Sequence, residues 1–152
     1  MNWFPVLLVV HIGLAVSMLL PSVVLPFVLR RAGSQTSALT RTLMAMQGGG
    51  TLLIGAGLAV TGAAMLWILG PQLLAQPWLL AALTLYALNL AVAALISRPN
   101  LRRMVGIGSA PSGSAGEDAW SRLARRQRLV AYGMAGAIGV IGFLMSTKPR
   151  LW

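Results

Sequence analysis

The sequence predicts an all-α integral membrane protein: one membrane domain, residues 1–152, built as a bundle of four transmembrane helices with both termini outside. Three observations predict it. The first is where charge falls. All charged residues lie in Arg30–Arg41, Arg98–Arg128 and Lys148–Arg150, and 1–29, 42–97 and 129–147 carry none apart from the ionisable His11. Helices of a water-soluble domain need a polar outer face, which these runs cannot supply. The second is composition. The chain is 57% hydrophobic and 9% charged with mean hydropathy +0.79, against roughly 25% charged in an ordinary globular domain. The third is the alternation of Lys and Arg between successive loops. Ten of the twelve fall on one side of the predicted spans and two on the other. The positive-inside rule places the two basic loops in the cytoplasm and both termini outside.

A spanning helix needs about 20 mostly apolar residues. The first run, 4–29, is long enough. It lacks a basic n-region and a small-residue cleavage site, so it reads as an uncleaved anchor. The second charge-free run is too long for one helix and breaks at Gly70-Pro71 and Gln76-Pro77. That yields spans at 43–69 and 77–97, with Pro77 at a helix start, where its missing N–H costs nothing. The fourth span is 129–146, after a cytoplasmic loop at 98–128. Within that loop Met104–Gly116 is rich in glycine and serine and reads as a linker. Ser114 and Glu117 have capping-box spacing, which predicts a helix start. That helix passes through Trp120 and the arginines into the fourth span, with Trp120 and Leu123 near lipid. Trp3, Trp67, Trp78 and Trp152 fall near span ends and read as headgroup anchors.

Several functions are excluded. The net charge of +10 reflects topology, with no basic face interleaved with aromatics for nucleic acid. The longest basic stretch can still touch anionic headgroups. There is no cysteine, so disulfides, thiolate metal sites and cysteine-held clusters are out. No span holds Asp, Glu, Lys or Arg, which argues against a carboxylate relay for transport and against paired-carboxylate catalysis. A transporter is therefore the third reading.

Helices in lipid associate by close approach and interhelical hydrogen bonds. Gly55, Ala59 and Ala63 form a small-residue row in the second helix. Gly133, Gly136, Gly139 and Gly142 recur at spacing three in the fourth. Gln47, Thr51, Thr61, Thr84, Tyr86 and Asn89 are polar groups suited to gluing the bundle. Pro21 and Pro26 each remove a backbone hydrogen bond and tend to kink the first helix. Ser17 and Ser22 hydroxyls are candidate partners for the freed carbonyls.

His11 is the ionisable group within a span, tyrosine aside, and such residues are functional candidates by default. Neutral imidazole ligates haem iron, other pigment metals or copper. His11, Ala15, Met18 and Ser22 share one stripe, so Met18 is a second cofactor-binding candidate. Met44 and Met46 are candidate copper ligands, and Met65, Met134 and Met145 are further thioethers, a residue type common as filler. The competing reading of His11 is a neutral ring bonded to a neighbouring helix.

The first span, VVHIGLAVSMLLPSVVLPFVLRR, joins an early histidine to an arginine exit. The third, QPWLLAALTLYALNLAVAALISRPNLRRM, has a Pro-Trp entry and an arginine-rich exit. With four spans and this length, the chain resembles an uncharacterised bacterial family of predicted integral membrane proteins. It is distantly similar to the membrane domain of the copper-resistance protein CopD and to HemJ, the haem-binding protoporphyrinogen oxidase. HemJ-like proteins pair the early histidine, matched by His11, with a lysine in the third span. Ala81, Ala82 and Leu83 stand in that region here, and the span has no lysine. The resemblance implies a haem- or copper-binding redox protein of the bacterial cytoplasmic membrane. The residues themselves favour a non-catalytic accessory or structural subunit, in contact with lipid and with other membrane subunits or copies of itself.

Overall fold

The computed structural model describes residues 3–31, 37–108 and 114–148, so Trp152 and 109–113 of the glycine-serine stretch lie outside it. Four helices are long and apolar enough to cross a membrane: α1 (Phe4–Arg31), α2 (Ala38–Leu69), α3 (Pro77–Ile107) and α4 (Ser114–Thr147). Among the described residues there is no strand.

Three of these helices run past the apolar segments. α2 starts five residues before Leu43 because Ser37 caps it, its hydroxyl accepting the Thr40 N–H at 3.3 Å. α3 continues beyond Ser97, and 104–107 are helical where the glycine count suggests linker. α4 is one helix from Ser114. The basic stretch is therefore mostly two helical extensions, Arg98–Gly108 and the first turns of α4. At the opposite end Gly70 stops α2 with φ +100°, a left-handed conformation a side chain resists. The Gln72 amide caps the Leu69 carbonyl there at 3.0 Å. A single 3₁₀ segment, Pro71–Ala75, leads to Pro77 in the first turn of α3.

The helices form a ring in chain order. α1 packs on α2 and α4, α4 on α3, and α2 meets α3 largely through two π-helical turns, Met46–Gly50 and Ala93–Ser97. Burial concentrates at the basic end. Leu25, Leu29, Leu43, Met44, Leu101, Met104, Trp120 and Ala124 form one cluster drawn from all four helices. Towards the termini, α1 has no buried residue before Met18, α2 none after Leu58 and α4 none after Met134.

Two tryptophans depart from expectation. Trp120 is 3% exposed rather than at lipid. It opens an inner stripe of Trp120, Ala124, Gln127, Ala131 and Met134, whose alternating steps of four and three keep one face inward. Trp78 is also buried, while Trp3 and Trp67 are exposed as headgroup anchors would be.

Pro21 and Pro26 are buried within an unbroken α1. The Ser17 hydroxyl donates to the Gly13 carbonyl at 2.8 Å, and that of Ser22 reaches the Met18 carbonyl at 3.3 Å. Neither goes to the carbonyls the prolines free, those of Ser17 and Ser22. A helical serine bends back to the carbonyl three or four residues before it, so it cannot serve its own.

Candidate functional site

The polar side chains inside the bundle form three tiers. In the loosely packed half, His11 Nδ1 lies 2.7 Å from the Thr61 hydroxyl, joining α1 to α2. The Thr61 hydroxyl is also within bonding distance of the carbonyls of Gly57 at 2.9 Å and Leu58 at 3.2 Å on its own helix. In the Nδ1–H tautomer His11 donates to Thr61 and keeps a lone pair on Nε2; in the Nε2–H tautomer Thr61 donates to Nδ1. Gly62 faces the ring: a Cβ there would stand in contact with His11 Cε1 at 3.4 Å.

The middle tier is fully buried. Gln47, in the first π turn, donates to the Ser22 hydroxyl at 3.2 Å and to the Met134 sulfur at 3.6 Å. The Ser22 hydroxyl also reaches Gln47 Oε1 at 3.4 Å. Three helices meet in this group. A π turn carries one extra residue and often marks a functional site. Here its widened turn leaves the Met46 carbonyl five residues from the Thr51 hydroxyl that bonds it at 3.3 Å.

The third tier lies next to the second π turn. Gln127 donates to the Ser97 hydroxyl at 2.7 Å and accepts from Asn100 at 2.9 Å, and Asn100 also donates to the Leu123 carbonyl at 3.2 Å. The apolar-span criterion misses Ser97, Asn100 and Gln127, because they sit at or beyond the ends of the charge-free runs. A signal did exist, since Gln127 falls seven residues before Met134 on the inner stripe of α4. Between α2 and α3, Tyr86 donates its hydroxyl proton to the Gly55 carbonyl. Nearby Asn89 is buried with its amide nitrogen unpartnered.

The candidate metal and cofactor ligands separate. Met44 is 1% exposed in the basic-end core, whereas Met46 is 38% exposed on the outside. Residues two apart on a helix point to opposite sides, so they do not share a copper ion. Met18 does lie on the stripe of His11, but seven residues at 1.5 Å each set them about 10 Å apart, too far for one metal ion. Among the described residues no three His, Cys, Asp or Glu side chains gather as a metal site.

The glycines divide by helix. On α2 a Cβ at Gly55 would lie 2.5 Å from Leu90 Cδ2, and one at Gly57 3.2 Å from Leu14 Cδ1. Ala59 and Ala63, expected to continue the row from Gly55, are exposed. Each four-residue step overshoots a full turn by about 40°, which rotates the row out of the seam. On α4 a Cβ at Gly133, Gly136, Gly139 or Gly142 meets nothing within 4 Å. All four face outwards.

Four apolar spanning helices, buried polar tiers and charges gathered beyond the spans define an integral, multi-pass membrane protein. The chain belongs to the family described as "Predicted integral membrane protein (DUF2269)", whose model matches residues 5–149. No curated protein and no solved structure matches it.

Proposed function

We propose that the protein is a non-catalytic accessory or structural subunit of a larger complex in a bacterial cytoplasmic membrane, with both termini outside. The observation that carries this reading is the set of outward glycines of α4, among which Gly136 and Gly139 lie about 60° apart on the helix. Glycine within a helix costs roughly 0.5–1 kcal/mol relative to alanine. Glycines in a spanning helix are repaid where another backbone comes close. On α2 the glycines Gly55 and Gly57 are covered by the Leu90 and Leu14 side chains of the chain itself; on α4 nothing lies within 4 Å of a Cβ. The partner is a second membrane subunit or a second copy. The absence of carboxylates and lysines from the apolar spans, and the mutual bonding of Ser22 with Gln47 and of Ser97 and Asn100 with Gln127, support a role without turnover. The test is gentle purification from the native membrane with mass spectrometry of co-purifying chains. Stoichiometric partners lost in Gly136→Leu/Gly139→Leu, with thermal stability unchanged, are expected. A wild-type protein that runs alone and turns over a substrate overturns the reading.

One observation favours a second reading, a His11-ligated haem or pigment of the kind the resemblance to HemJ and CopD implies. Histidine ligands commonly donate their other ring N–H to a neighbouring acceptor. The Nδ1–H tautomer of His11 would do so to Thr61, 2.7 Å away, with Nε2 left in the less packed half of the bundle. A Soret or chlorin absorption band lost in His11→Ala is the outcome that would replace the first reading with this one.

A further inference from the structure

We infer that the basic end carries a binding site for the headgroup of an anionic phospholipid, in a crevice between the extensions of α3 and α4. This crevice, of about 550 Å³, is lined by Arg103 and Ile107 of α3 and by Arg122 and Leu123 of α4, with Gly106 and Ala119 between them. Three features point to that ligand. The first is charge. Among the described residues no arginine side chain lies within 4.0 Å of a carboxylate. Glu117 and Asp118 do not line the crevice. Two arginines lining one space can bring their guanidinium forks to phosphate oxygens, which accept paired N–H bonds. The second is depth. Arg103 lies six residues past Ser97, where the third apolar run ends, and Arg122 seven before Leu129, where the fourth begins. At 1.5 Å per residue both stand about 10 Å outside the hydrocarbon, at the level of headgroups. The third is amphipathic lining. Half-buried Ile107 and Leu123 offer an apolar wall beside the two arginines. That combination matches a lipid phosphate joined to its glycerol and acyl roots, and basic pockets between membrane helices bind such headgroups.

The experiment uses the full-length protein in mild detergent, mixed with equal amounts of dioleoyl phosphatidylglycerol and dioleoyl phosphatidylcholine and read by native mass spectrometry. Each arginine near an anionic lipid contributes roughly a factor of five, so retention of phosphatidylglycerol is expected to exceed that of phosphatidylcholine about twenty-five-fold. Arg103→Gln/Arg122→Gln should abolish the preference. Arg125→Gln/Arg126→Gln removes the same charge from exposed positions outside the crevice and should keep it. Equal loss in both doubles, or no preference in the wild type, overturns the site. Displacement of the lipid by inorganic phosphate at matched ionic strength overturns it too, in favour of a soluble anion. If the glutamine variant fails to assemble, Arg103→Lys/Arg122→Lys replaces it. Its preference should fall because ammonium groups lack the fork, and an unchanged preference would count against the guanidinium site.

Discussion

Gln127 gives an amide proton to Ser97 at 2.7 Å and takes one from Asn100 at 2.9 Å, with none of its own surface exposed. Replacing it with leucine keeps the volume and strands two polar partners. Interhelical bonds in membranes average about 0.6 kcal/mol with maxima near 1.7, and an abandoned buried group adds to that. Gln127→Leu should therefore cost about 1–2 kcal/mol, a fall of roughly 3–6 °C in the thermal midpoint of the detergent-purified protein. Ser121→Ala, at an exposed hydroxyl bonded only to the Asp118 carbonyl, should leave the midpoint in place. A second pair separates the glycines. Gly55→Ala forces Leu90 aside and should lower the midpoint, while Gly136→Ala meets open space and should leave it level or slightly higher. At this scale the sequence was partly legible. It marked His11, Gln47 and Tyr86 as polar groups inside spans, and each bonds across helices. It did not mark Gln127 or Asn100, because a hydropathy criterion ends where charge begins. Helical phase does not end there.

The elements were legible in number and order, since lipid demands about 20 apolar residues per crossing and proline and glycine punctuate the rest. Their ends were less so. A helix leaving the bilayer keeps its backbone bonds in water when a cap or a packed face supports it. Ser37 does this for α2, and the Leu101, Met104 and Trp120 contacts do it for α3 and α4. The two π turns share no sequence signature: the glycine triplet Gly48–Gly50 lies in one and nothing comparable lies in Ala93–Ser97. A π turn is a regular helix with one residue added. Deleting Gly49 should thus restore an ordinary α2 with both flanks still facing the bundle. Deleting Ala56, outside the π turn, rotates one flank by about 100° and takes buried residues out of the core. The expected result is a folded, somewhat altered Gly49 deletion and an aggregating or degraded Ala56 deletion. Size-exclusion profiles of the two proteins would show it, and equal damage would count against the assignment.

For the whole molecule, the charge map makes its own prediction. The chain has no cysteine, so single replacements report sidedness without background. With both termini outside, Ser121→Cys should react with a membrane-impermeant maleimide only after the membrane is opened, and Gln72→Cys in intact cells. The reverse pattern would invert the topology. What the sequence could not show is the uneven distribution of packing, dense at the basic end and sparse towards the termini. Hydropathy reports partition into lipid and is blind to which apolar groups find protein neighbours once there. One consequence concerns α4 as a mechanical body. It runs unbroken for 34 residues without an internal proline. Arg122, beside the basic crevice, and Gly142, at the far end of the outward glycine row, are ends of the same rod, about 30 Å apart. A rod without a hinge has a single tilt. Whatever pulls its basic end towards or away from one leaflet must swing the far end of the rod, with Gly142 in the other leaflet, by a matching angle. Headgroup charge on one side of the membrane would thereby set the angle at which a neighbour is met on the other.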